Sequence, residues 1–186
     1  MTDTPSIRIE FELTESDIDY FRERLKTAQK KFAKDGESKI VYGAESLIKQ
    51  TEGATVPGFL VPRIENLRVM IAMLRDKDWR LEGEDRAHVI NALAYFADPQ
   101  DMVPDAIPGI GMLDDAIMID LATRELRPEL DAYAEFCDNR EELQAGAPDA
   151  DPLHESRNIL QKRMQRQRRR EVRRGRRGSG SYSLFH

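Results

Sequence analysis

Between Asp98 and Asp115 the chain sets three prolines, two glycines and five aspartates among apolar residues, at the end of one helical pattern and the start of another. Asp98 before Pro99 reads as a helix cap followed by proline at a first helical position. Pro104 and Pro108 block helix continuation and push Val103 and Ile107 towards extended geometry. Gly109 and Gly111 permit backbone angles or close approaches closed to other residues. Asp114 and Asp115 fall in the first turn of the next helix, where negative charge suits the dipole. The segment therefore builds a rigid, apolar-studded crossing between two helices.

Apolar spacings on either side are helical. Ile18, Phe21, Leu25, Ala28 and Phe32 recur at intervals of three and four, with Thr14 and Asp17 as a capping pair and Leu13 and Ile18 in the staple positions. Further helices are expected over Ser38–Thr51, from Pro62 through Leu74, and over Gly83–Phe96, the last burying Ala87, Ile90, Leu93 and Ala94. After the crossing, one helix begins near Met112 or Leu113, and another takes Pro128 in its first turn and runs to about Leu143. Cys137 there reads as a small packing residue. Trp79 reads as a lid on the core, and His88, with no partner at ligand spacing, as a surface or core residue.

We expect an all-α fold: a compact bundle of five or six helices over 14–143, with an N-terminal strand-like arm at 1–13. The arm rests on Ile7, Ile9, Phe11 and Leu13 alternating with charged residues. A linker at 144–152, a basic C-terminal helical tail at 153–178 and a flexible end at 179–186 complete the chain. The overall charge of -5 hides a division. Residues 157–177 hold 11 of the 29 basic residues and one of the 34 acidic ones, which leaves 18 basic and 33 acidic residues elsewhere. An acidic body thus carries a basic extension. One cysteine excludes an internal disulfide and a cysteine-based zinc cluster within the chain. The run Met102–Leu121 is interrupted by Asp105, Asp114, Asp115 and Asp120, so no transmembrane span is expected and a cytoplasmic setting, at most peripheral to a membrane, is the default.

The crossing resembles the hallmark of the YkvA-like family, a bacterial domain of unknown function. The matching residues are Tyr95, Phe96, Pro99, Asp101, Pro104, Asp105, Ile107, Pro108, Gly111, Leu113, Asp114 and Asp115, within a motif at 91–126. The resemblance implies a helical domain and carries no established reaction. Many relatives are more hydrophobic after the double aspartate and are called membrane-associated, whereas Asp120 interrupts that stretch here.

Two chemistries compete for the aspartates. Each can cap or turn the backbone on its own, or Asp101, Asp105, Asp114 and Asp115 can converge on Mg²⁺ as hard oxygen ligands for hydrolysis. The prolines around them favour the first reading, and no cofactor is expected. Gly109-Ile-Gly-Met-Leu-Asp-Asp115 is no phosphate loop, because it lacks a following Lys-Ser/Thr and its aspartates would repel phosphate. The apolar points of the crossing, Val103, Ile107, Pro108, Ile110 and Leu113, form the expected partner-docking face. Arg163, Arg166, Arg168, Arg169, Arg170, Arg173, Arg174, Arg176 and Arg177 form the expected polyanion-binding set, since arginine pairs bidentately with phosphate. The resulting expectation is a non-enzymatic interaction protein whose tail contacts RNA or the ribosome. A partner protein, a second copy of the chain, the acidic body itself and an anionic membrane surface are the alternatives.

Overall fold

The computed structural model describes residues 12–32, 36–52, 56–97, 112–145 and 152–175. Among them the chain forms seven α-helices and a short 3-10 helix, so the expected all-α class holds. In order these are α1 (Glu15–Phe32), α2 (Glu37–Thr51), α3 (Val61–Arg75), α4 (Gly83–Ala92), the 3-10 turn Ala94–Ala97, α5 (Leu113–Glu125), α6 (Arg127–Ala145) and α7 (Pro152–Gly175). The strand-like arm, save its last two residues, and the crossing at 98–111 lie outside the described residues.

Local chemistry sets the start of α1. The Thr14 amide donates to the Asp17 carboxylate at 2.8 Å, and the Asp17 amide approaches the Thr14 hydroxyl at 3.4 Å, a reciprocal cap. The Thr14 hydroxyl and amide hold the Asp17 carboxyl below its usual range. Leu13 is half-buried against the core of which Ile18 is a part, as the staple positions require.

The core gathers around α5, where Ala116 to Ile119, Leu121 and Ala122 are all buried. A helix sheltered on nearly every side can be apolar nearly all round, which accounts for the apolar residues between Ala116 and Ala122. Asp120, the residue that breaks that run, is tied to α3: the Arg63 guanidinium donates to one Asp120 oxygen at 2.9 and 2.7 Å. No helix among the described residues is long and apolar enough to cross a membrane.

The region before the crossing is built to close tolerance. Helix α4 stops at Ala92, and the chain tightens into the 3-10 turn instead of continuing as α-helix to Phe96. A Cβ added at Gly43 of α2 would lie 1.9 Å from the Phe96 carbonyl oxygen, so the two backbones meet where no side chain fits. At the far end of the crossing Met112 adopts a left-handed conformation, φ 66°, and turns the chain into α5.

Three expectations need correcting. Ala87 faces solvent, while Asp85, Val89 and Ala92 occupy the inward face of α4. Of the other residues expected on that stripe, Leu93 and Ala94 are buried and Ile90 packs half-buried against the core, so the departure is confined to Ala87 and to Asp85, an acid at an inward position. Cys137 is exposed rather than packed inside. Third, the basic tail is helical but does not trail away from the bundle. Helix α7 lies along α6, with Leu160 and Met164 buried in the common core. Burying side chains of this kind contributes about 2 kcal/mol each before the cost of ordering the helix.

Candidate functional site

Two places carry the residues singled out from the sequence. The first is the start of α5. Asp114 is 1 % exposed and Asp115 is 8 % exposed, and the Tyr95 hydroxyl donates to Asp114 at 3.1 Å. Burial, together with the Asp114 and Asp115 carboxylates, pushes the Tyr95 hydroxyl far above its usual pKa, so it stays a donor. The motif's aromatic residue and its double aspartate thus join the two ends of the crossing. Asp101 and Asp105, the other proposed Mg²⁺ ligands, lie outside the described residues. Among the described residues no three His, Cys, Asp or Glu side chains are placed to hold a metal ion. Val103, Ile107, Pro108 and Ile110 of the docking face also lie outside, and Leu113 is half-buried against the core.

The second place is α7, which has two unlike faces. The inward face locks into the body through polar as well as apolar contacts. Arg157 donates to the Asp78 carbonyl at 2.8 Å, and the Gln161 amide donates to the Trp79 carbonyl at 2.8 Å. Trp79 is completely buried there, stacked at a tilt on Tyr133 and Phe136 of α6. The turn beneath is held by Asp76, which accepts from Tyr133, Arg140 and the amides of Asp78 and Trp79. Burial raises the Asp76 carboxyl, but these donors outweigh it and hold it below the usual carboxylate range.

Two turns beyond Gln161 along α7, Arg168 bridges two helices. Its guanidinium donates to Asp85 of α4 at 2.7 Å and to Glu129 of α6 at 2.9 Å. Gln165 adds a bond to Asp85 at 2.7 Å. Glu129 is 0 % exposed, and its second oxygen is buried without a hydrogen-bond partner. His88 stands 3.2 Å from Glu129 and 3.5 Å from Glu125, and these two carboxylates raise its pKa to about 9 despite its burial. His88⁺ and Arg168⁺ together balance a buried acidic pocket.

The outward face is solvent-exposed and cationic. At 100° per residue, Lys162, Arg163, Arg166, Arg169, Arg170 and Arg173 fall within an arc of about 120°, centred opposite Leu160, Met164 and Arg168. All six are exposed. Arg163, at the edge of the arc, pairs with Glu135 of α6. Arg166, Arg169, Arg170 and Arg173 make no ion pair with the described residues. Lys162–Arg166, Arg166–Arg169, Arg166–Arg170, Arg169–Arg173 and Arg170–Arg173 are like charges at helical spacings of three or four, each costing an isolated helix about 0.2–0.5 kcal/mol. The strip therefore works against the helix that carries it. Of the expected polyanion-binding set, Arg168 is turned inward and Arg163 is half engaged. The side chain of Arg174, with Arg176 and Arg177, lies outside the described residues.

Comparison with known proteins bears on both places. A family model described as a protein of unknown function, DUF1232, matches residues 86–121, from the first turn of α4 across the crossing into α5. An uncharacterized membrane protein, YkvA of Bacillus subtilis (strain 168), is 32 % identical over 79 residues, covering 39 % of this chain and 73 % of the relative. The chain belongs to the YkvA-like family. No solved structure matches it. Within this DUF1232 segment, His88 joins the acidic pocket, and Tyr95 and Asp114 close the two ends of the crossing. The relative is named a membrane protein, while no described helix of this chain can span a bilayer.

Sequence reasoning missed the acidic pocket of Asp85, Glu129 and His88. A signal for it was present: uncharged Gln161, Met164 and Gln165 interrupt the cations of α7 at intervals of three and four, which is where one face must be buried.

Proposed function

We propose that this YkvA-like protein is a non-catalytic interaction protein held peripherally at an anionic membrane surface, with α7 as its electrostatic contact and the helical body as its interaction module. The observation that carries this reading is the one-sided cationic strip on a helix whose other face is docked. Five cations, Lys162, Arg166, Arg169, Arg170 and Arg173, stand on one side of one rigid element over about 16 Å. Cations near an anionic leaflet contribute about 1 kcal/mol each, enough for reversible attachment without any apolar insertion. A relative named a membrane protein and the lack of a spanning helix among the described residues both favour peripheral contact.

RNA, the polyanion favoured from sequence, ranks second. Helix α7 contains no Phe, Tyr or Trp on which bases can stack, its one imidazole, His154, lies two turns before the strip, and Ile159 lies exposed within the arc of the strip, where an apolar group suits a bilayer interface. Hydrolysis at the aspartates loses support because Asp114 and Asp115 are buried and Asp114 holds the Tyr95 hydroxyl. The groove between α2 and α3, about 420 Å³, is bordered by Lys49 and by two ion pairs, Arg75–Glu45 at 2.5 Å and Arg68–Glu52 at 3.0 Å, with no histidine, cysteine or serine among its lining residues.

Flotation with vesicles of phosphatidylglycerol and phosphatidylcholine tests the reading. The protein should float with the anionic vesicles and not with pure phosphatidylcholine, and binding should weaken steeply as NaCl screens the surface. Replacing Arg166, Arg169, Arg170 and Arg173 by Gln removes four such cations and should weaken binding roughly a thousandfold. Equal recovery on neutral vesicles, or retention on RNA but on neither vesicle, would refute it.

A further inference from the structure

The same helix supplies the cationic strip and closes the acidic pocket, so contact with a polyanion has two geometries. Either α7 peels away and binds as a free amphipathic helix, or it binds in place. Resting on the membrane reading above, we infer that α7 meets the anionic bilayer while still docked, so that its inward arginines clamp the helix and its outward cations grip phosphate headgroups.

Three observations point to the docked form. First, the groups that meet the lipid already face solvent: Lys162, Arg166, Arg169, Arg170 and Arg173 need no rearrangement to be reached. Second, release would uncover Leu160 and Met164, strip Arg168 from Asp85 and from fully buried Glu129, and open the turn that holds Trp79. Third, a released α7 would make a poor membrane helix. Its inward face carries Arg157, Gln161, Gln165 and Arg168 among the apolar residues, so cations would surround it and no continuous apolar side would be left to bury among acyl chains. The interface offers nothing to replace what release would break. Docking also fixes the strip's orientation, with Ile159 at its amino-terminal end facing the same surface.

The protein contains its own reporter. Trp79 is the sole tryptophan, is wholly buried, and accepts a hydrogen bond from Gln161 of α7 through its carbonyl. The intact chain is titrated with phosphatidylglycerol vesicles while Trp79 emission and the hydrogen exchange of α7 amides are followed. The docked form predicts binding with no red shift at Trp79, with α7 and α6 amides as protected as before or more so. Binding accompanied by a red shift and faster exchange in α7 would overturn the inference and leave the membrane reading standing. No binding to vesicles, or binding to RNA alone, would overturn both. As a second variant, Arg168→Leu loosens the clamp without touching the outward strip. The docked form predicts that its vesicle affinity is unchanged or reduced, whereas a release mechanism predicts an increase, and that increase would also sink the inference.

Discussion

Arg168 makes the severest test of how α7 is held. Its guanidinium joins Asp85 and Glu129 through separate nitrogens at 2.7 and 2.9 Å. Replacing it with Leu leaves Glu129 buried with neither oxygen bonded to a guanidinium, and Asp85 with Gln165 alone from α7. Breaking a buried pair from one side costs about 3–5 kcal/mol, because the surviving charge stays desolvated. The Arg168 side chain retains 21 % exposure and His88⁺ remains beside Glu129, so the lower end, about 3 kcal/mol, is expected. Arg168→Lys keeps the charge but offers a single ammonium for two carboxylates, and about 1–2 kcal/mol should be lost. Urea unfolding followed by Trp79 fluorescence and by far-ultraviolet circular dichroism measures both losses and checks that the transitions coincide. Adding Glu129→Gln to Arg168→Leu should recover a large part of the loss, since the stranded charge is removed. A cost below about 1 kcal/mol for Arg168→Leu, or no recovery in the double variant, would show that α7 is held by its apolar face and that the clamp is incidental.

Two other predictions follow from the same geometry. The rise of His88 from 6.5 to about 9 corresponds to at most about 3 kcal/mol of preference for the charged imidazole in the folded state. That stabilisation is complete below 6.5 and disappears as pH rises through about 9, so the urea midpoint should fall across this window and His88→Asn should flatten the fall. Gly43→Ala would gain about 1 kcal/mol on helix propensity alone. With its Cβ 1.9 Å from the Phe96 carbonyl oxygen, it should instead lose about 3 kcal/mol, and a stabilised protein in thermal melts would contradict the close approach described for α2.

Features set by neighbours in sequence were legible. The Thr14–Asp17 cap depends on residues within one turn and it forms, while Leu13 and Ile18 both turn towards the core. The helical class followed from spacing alone, as did the placing of Asp114 and Asp115 in a first turn. What escaped was set by pairing across the chain. Arg168 and Asp85 are 83 residues apart, and no local pattern says that one arginine among many turns inward. Asp85 was not foreseen on the inward face of α4 for a related reason. Asp85 is buried because α7 supplies its partners, so an acidic residue sits where hydropathy expects an alanine. The aspartates of the crossing were correctly read as belonging to a family motif, and the burial of Asp114 beneath the Tyr95 hydroxyl supports a structural role for the one best placed.

The two-sided use of basic residues in α7 should leave a trace in mutational tolerance. Towards solvent, at Arg166, Arg169, Arg170 and Arg173, lysine should substitute freely because charge near a surface is what counts. At Arg157 and Arg168 the flat guanidinium reaches fixed acceptors, and lysine should be poorly accepted. A saturation scan through this helix would then show lysine permitted and forbidden with a rhythm of three and four, a pattern that composition would never suggest.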